Sequence, residues 1–78
     1  MKYTKSYAKQ IFDLLPQANY LAVDSIGSLN WFDIAPYPDE SISYWNVFGG
    51  IIKVERGYLG KVSYFGRWQD TLVTREDL

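Results

Sequence analysis

At 78 residues the chain has room for one hydrophobic core, and its 47% hydrophobic and 22% charged content is that of a globular domain, not a disordered one. With no Cys and no His it can form no disulfide, no thiolate metal site and no Ser-His or Cys-His nucleophile. A net charge of −1 and a pI near 5.1 argue against direct nucleic-acid binding.

In chain order, residues 4–15 read as a helix: Ala8, Ile11, Phe12 and Leu15 follow the i, i+3, i+4, i+7 spacing of one apolar stripe. Thr4 or Ser6 can cap its start, and Pro16 ends it by lacking an N–H and disfavouring helical Leu15. Residues 19–24 and 28–34 then read as a β-hairpin around Asp24-Ser25-Ile26-Gly27. There Asp24 favours turn entry and Gly27 supplies a positive φ. Alternation places Leu21 and Val23 on one face and Tyr20, Ala22 and Asp24 on the other. Large apolar groups fall on both faces, which predicts full cover on one side and partial cover on the other.

Pro36 and Pro38 exclude a central strand at 35–41 and stiffen that segment towards a polyproline-like path. Tyr37 is then either displayed for binding or folded over the core edge. Residues 42–48 read as a third strand, with Ile42, Tyr44, Asn46 and Phe48 on one face and Ser43, Trp45 and Val47 on the other. Gly49-Gly50 is a candidate hairpin turn into a short strand at 51–54. Glu55-Arg56-Gly57 reads as a turn, and 58–65 as a last strand whose Gly60 suggests a bulge. Trp68 and Leu72, four apart, suit a helical turn at 67–73, and 74–78 reads as a frayed tail. The expected architecture is a single α+β domain over 1–78. Its N-terminal helix packs on a four- or five-stranded antiparallel β-meander, followed by a short C-terminal helical turn.

No apolar run reaches the roughly 20 residues of a membrane span. The early Lys2, Lys5 and Lys9 are followed by polar interruptions that predict no signal peptide, so the expected compartment is the cytoplasm. Charge is segregated along the chain. From Gln10 to Ile52 there is no Lys or Arg, only Asp13, Asp24, Asp33, Asp39 and Glu40, whereas Lys53, Arg56, Lys61 and Arg67 make the next stretch basic. Such a pattern arises by chance in a short chain, or it marks an acidic patch that docks on a basic surface.

Chemistry-bearing motifs are sparse. No Walker-type or dinucleotide glycine loop is present. Asp39 and Glu40 are adjacent and would point apart in an extended loop. A carboxylate-only magnesium site is the one metal option left, and no spacing demands it. The expectation is a protein that is not an enzyme and carries no metal and no cofactor.

Aromatics make up 18% of the residues, including three Trp and seven Tyr. In a domain this small, ordering each residue costs about 1.5 kcal/mol and apolar burial returns about 25 cal/mol per Å², so rings serve the core first. The rings near the acidic stretch also fit an interface, because Trp, Tyr and Arg dominate binding hot spots. The expected partner-binding residues are Asp33, Tyr37, Asp39, Glu40, Tyr44 and Trp45. The alternative is a nucleotide or other small ligand held by Lys53, Arg56, Tyr64 and Arg67. A third reading is a homo-oligomer joined through the edge of the 51–54 strand.

Leu21-Ala-Val-Asp24, Gly27, Trp31-Phe32 and the closing Gly66-Arg-Trp-Gln-Asp-Thr-Leu72 resemble a class of short phage- and prophage-encoded proteins. These share an "AVD, G, aromatic" hairpin and a terminal W-x-x-S-L signature, with Thr71 here in place of Ser. The likeness spans most of 18–72. The class has no settled activity, so no functional residue carries over. The resemblance implies a non-enzymatic accessory protein that inhibits or modulates a larger host protein, such as a restriction or CRISPR defence complex.

Overall fold

A computed structural model describes residues 1–48 and 54–78 of the chain. The first element, α1 (Lys5–Leu14), starts where expected: Thr4 is extended and its hydroxyl accepts the Tyr7 N–H at 3.1 Å. Ala8, Ile11 and Phe12 are its buried stripe, and Pro16 follows the last helical hydrogen bond, from Leu15 N to Ile11 O.

Strands β1 (Tyr20–Val23) and β2 (Ser28–Phe32) form the hairpin, with Leu21 opposite Trp31 and Val23 opposite Leu29. The buried Asp24 carboxylate makes the turn, accepting from Ile26 N at 3.2 Å and Ser28 N at 3.1 Å, while Gly27 adopts φ +83°. A Cβ on Gly27 would also lie 2.9 Å from the Val62 carbonyl oxygen. Strand β5 (Arg56–Lys61) pairs antiparallel with β2, and β6 (Val73–Thr74) with β1, so the four-stranded sheet runs β5-β2-β1-β6. A separate two-stranded sheet pairs β3 (Tyr37–Asp39) with β4 (Tyr44–Asn46). The chain is thus α+β, with an N-terminal helix, mostly antiparallel sheet and a short C-terminal 3-10 turn at Trp68–Asp70.

The two faces of the β1–β2 hairpin carry the two parts of the core. Leu21, Val23 and Leu29 meet Ala8, Ile11 and Phe12 of α1. On the other face Ala22 and Phe32 meet Trp45 of β4, flanked by Trp68 and Leu72. Cover on both sides follows from the apolar groups that alternate onto both.

Several elements differ from their sequence expectation. Of the strand expected at 42–48 only Tyr44–Asn46 forms, and it joins Tyr37–Asp39 in the second sheet. Pro38 is tolerated because a two-stranded sheet is all edge. Arg56 and Gly57, expected in a turn, begin β5. Gly57 is required there because the Trp31 indole lies where its Cβ would stand. Gly60, at φ +110°, accompanies a register shift that leaves Leu59 without a partner in β2. That extra residue resets the alternation: Leu59, Val62 and Tyr64 all pack on the helix side, while Tyr58 is exposed. The strand expected at 51–54 and its Gly49-Gly50 turn lie outside the described residues, apart from an irregular Val54.

The expected frayed tail at 74–78 is instead held in place. Arg75 donates Nη2 to Leu15 O at 2.7 Å and Nε to Ala18 O at 2.9 Å, and its guanidinium lies 4.9 Å from the Phe12 ring centre. One side chain thereby ties down two carbonyls at the exit of α1, those of Ala18 and of Leu15, the latter also accepting the Ala18 N–H at 3.0 Å. Thr74 and Asp77 then form a reciprocal cap on a final 3-10 turn, Arg75–Asp77.

The outer edge of β1 is completed by a side chain. The register that pairs Tyr20 with Thr74 and Leu21 with Val73 would put Thr71 opposite Val23, but there the chain has turned into the 3-10 segment. The buried Thr71 hydroxyl accepts the Val23 N–H at 2.9 Å, and it lies 2.9 Å from Val23 O and 2.7 Å from Trp68 O. Replacing Thr71 with Val should orphan the Val23 N–H and cost about 1–3 kcal/mol, lowering the melting temperature by about 4–8 °C per kcal/mol. Thr71→Ser keeps the hydroxyl and should lose only a methyl, about 0.8 kcal/mol. Equal melting temperatures for the two variants would refute the role of the hydroxyl. Arg75→Ala should cost about 2 kcal/mol in chemical denaturation, and Arg75→Lys should recover little, because an ammonium lacks the fork that reaches both carbonyls.

Candidate functional site

The β3–β4 hairpin has an inner and an outer face, set by alternation. Trp45 points inward, 4% exposed, with Nε1 donating to Val23 O at 2.8 Å and its ring edge-on to Trp68 at 5.9 Å. Trp45, expected at a partner interface, is therefore the anchor beneath the surface. Its cross-strand neighbour is Pro38, while Tyr37 is opposite Asn46 and Asp39 opposite Tyr44 on the outer face.

Tyr44 is 42% exposed on the outer face, and two apolar residues flanking β4 are exposed as well: Ile42 in the turn before it, at 50%, and Phe48 after it, at 81%. The half-buried Tyr37 stacks on Phe48, ring centres 4.6 Å apart and 24° from parallel. The turn between the strands is organised by Asp39. Its Oδ1 accepts from Ser41 Oγ at 2.5 Å and Ser41 N at 3.2 Å, and its Oδ2 meets Asn46 Nδ2 at 3.4 Å. The Ser41 hydroxyl, more than any other contact, holds the Asp39 carboxyl below its ordinary range; burial opposes this. Ser43 closes the turn at φ +60°, a left-handed conformation that costs a non-glycine residue about 1–2 kcal/mol. Its carbonyl accepts from Ser25 N at 3.4 Å, which joins this turn to the β1–β2 turn.

Tyr37, Asp39 and Tyr44 thus stand together as expected for a binding surface, and Glu40 begins the adjoining turn with Oε1 accepting from Gln69 Nε2 at 3.1 Å. Asp33 stands apart, past the end of β2. Its Oδ1 accepts the Glu55 N–H at 3.1 Å, and its backbone O accepts Asn19 Nδ2 at 2.9 Å. There it lines a cleft of about 400 Å³ with Tyr20, Ile34, Thr74 and Glu76. Arg75 also borders that cleft, but the guanidinium is committed to the Leu15 and Ala18 carbonyls.

The residues of the small-ligand alternative are not brought together. Arg56 lies 4.6 Å from the Phe32 ring, on the Trp45 side of the sheet. Tyr64 packs on the helix side with its hydroxyl 3.5 Å from Ser25 O. Arg67 makes an exposed pair with Asp70 at 3.7 Å, and Lys53 lies outside the described residues. Ile42 and Phe48 are exposed on either side of β4 and lie outside the expected binding set, although alternation over 42–48 groups them with Tyr44.

No helix among the described residues is long and apolar enough to cross a membrane. Compared with protein-family models, curated proteins and solved structures, the chain matches none.

The folded-state depression of Asp39 has a sign that can be checked. A lowered carboxyl pKa contributes stability above the ordinary carboxylate range and loses it as pH falls through the folded-state value. A site-resolved NMR titration should find the Asp39 midpoint below the ordinary aspartate value, and Ser41→Ala should move it upward. An unmoved midpoint would remove Ser41 as the cause.

Proposed function

We propose that this protein is a non-enzymatic binding protein that docks on a larger protein through the outer face of the β3–β4 hairpin. One observation carries the reading: Tyr44 is exposed on the outer face of a strand pair whose inner side is pinned by the buried Trp45, and the exposed Phe48 is stacked on Tyr37 of the partner strand. Apolar and aromatic groups held on a backed strand pair lose little conformational entropy when covered, and such groups dominate interface energetics. The likeness of the hairpin and the closing Trp68-Gln-Asp-Thr-Leu72 segment to short phage proteins supports a cytoplasmic setting and a host defence complex as target.

The test is capture from a bacterial host lysate with tagged protein, comparing wild type with Tyr44→Ala/Phe48→Ala. Both side chains are exposed, so the variant should fold; Lys9→Ala on the far helix serves as control. Each truncated hot-spot side chain costs about 1–2 kcal/mol, so a stoichiometric partner of the wild type should be lost from the double variant and kept by the control. Retention by the double variant would exclude this face. These neutral changes are preferable to charge reversal at Asp33 or Asp39, whose carboxylates hold neighbouring backbone in place.

A further inference from the structure

The outer face is acidic as well as apolar, and among the described residues neither Asp39 nor Glu40 forms an ion pair. The stretch that contains it, from Gln10 to Ile52, has no Lys or Arg. Asp39 is directly opposite Tyr44 on the same face, which places their Cβ atoms about 4.5–5.5 Å apart. Asp39 commits Oδ1 to Ser41, but among the described residues Oδ2 has only the long contact to Asn46. Glu40 adds a second carboxylate at the turn, one oxygen of which has no hydrogen-bond partner among the described residues.

A carboxylate beside an open aromatic ring is a receptor for a planar cation. A guanidinium can lie flat on the Tyr44 ring and still direct in-plane N–H groups at Asp39, because its charge is delocalised over a rigid fork. An ammonium is a compact, strongly hydrated point charge that satisfies one of these contacts at the cost of the other. Phosphate backbones are disfavoured at a surface of this sign.

We propose that the partner presents an arginine side chain to this face, its guanidinium stacked on Tyr44 and hydrogen-bonded to the Asp39 carboxylate. The inference rests on the docking reading above and adds the chemistry of the occupant. Tyr37 and Phe48, already stacked on each other, form the apolar shoulder of the site rather than a second wall around the cation.

The experiment is an NMR titration of the intact protein with a short peptide of alternating glycine and arginine, set against the lysine counterpart. The arginine peptide should shift the signals of Tyr44 and Asp39. Its affinity should fall about two- to fivefold in Tyr44→Leu, which keeps an apolar side chain, and in Asp39→Asn, which keeps an acceptor for Ser41. The lysine peptide should bind several-fold more weakly. Equal affinities would reduce the effect to net charge and overturn the proposal, as would shifts centred on the Asp33 and Glu76 cleft. Shifts of Tyr44 that grow with protein concentration alone would put a second copy on the face and also overturn it. If capture from lysate depends on Tyr44 and Phe48 while the arginine peptide leaves Tyr44 unmoved, the docking face stands and the arginine inference fails. If capture ignores both residues, the docking reading itself has failed.

Discussion

The fold depends on how the Val23 peptide is satisfied. Its N–H and C=O point away from β2, towards an edge that β6 covers for only two residues, Val73 and Thr74. Left open, each buried group would cost about 1–3 kcal/mol. The Thr71 hydroxyl pairs with both, and the Trp45 indole adds a donor to the carbonyl. One backbone position therefore ties three distant parts of the chain together: β1, the segment after Trp68, and the second sheet. Val23 itself is fully buried, so water cannot substitute for either partner.

This geometry explains why the short motifs at the two ends of the chain occur together. Ala22 must be small because Trp45 and Phe32 fill the space over it. Asp24 and Gly27 make the turn. Trp68 packs edge-on against Trp45, Leu72 joins the same cluster, and the hydroxyl at position 71 completes the β1 edge. A serine at position 71 would supply the same hydroxyl. These residues together form a joint in the scaffold.

Local rules were enough to read α1, the β1–β2 hairpin and the bulge at Gly60. Apolar spacing, a capping hydroxyl, Pro16 and the Asp24–Gly27 turn each act within a few residues. What they could not convey were non-local decisions. That Trp45 faces inward depends on a carbonyl 22 positions away. That 74–78 is ordered depends on the reach of Arg75 to Leu15 and Ala18. The pairing of β3 with β4 gave the proline-containing β3 a partner outside the main sheet, a choice that strand propensity does not encode. The outer face of the second sheet was legible in part: alternation over 42–48 separates Tyr44 from Trp45, whereas the placing of Tyr37 and Asp39 opposite β4, the inward anchoring of Trp45 and the position of Asp33 required the tertiary fold.

Charge was the least transferable signal. The five carboxylates between Gln10 and Ile52 look like a patch in the sequence, yet most are occupied by their surroundings. Asp13 pairs with Lys9 at 3.5 Å, Asp24 accepts two turn N–H groups, and Asp33 accepts from Glu55. Carboxylates that hold backbone are fixed in direction and partly neutralised, so counting them overstates the field they project. Asp39 and Glu40 differ from the other three in lying at the β3–β4 turn, beside exposed apolar groups. One acidic stretch in the sequence, Gln10 to Ile52, is thus several separate local environments in the fold, and the field at any one of them is set by its own hydrogen bonds rather than by the sum of the charges.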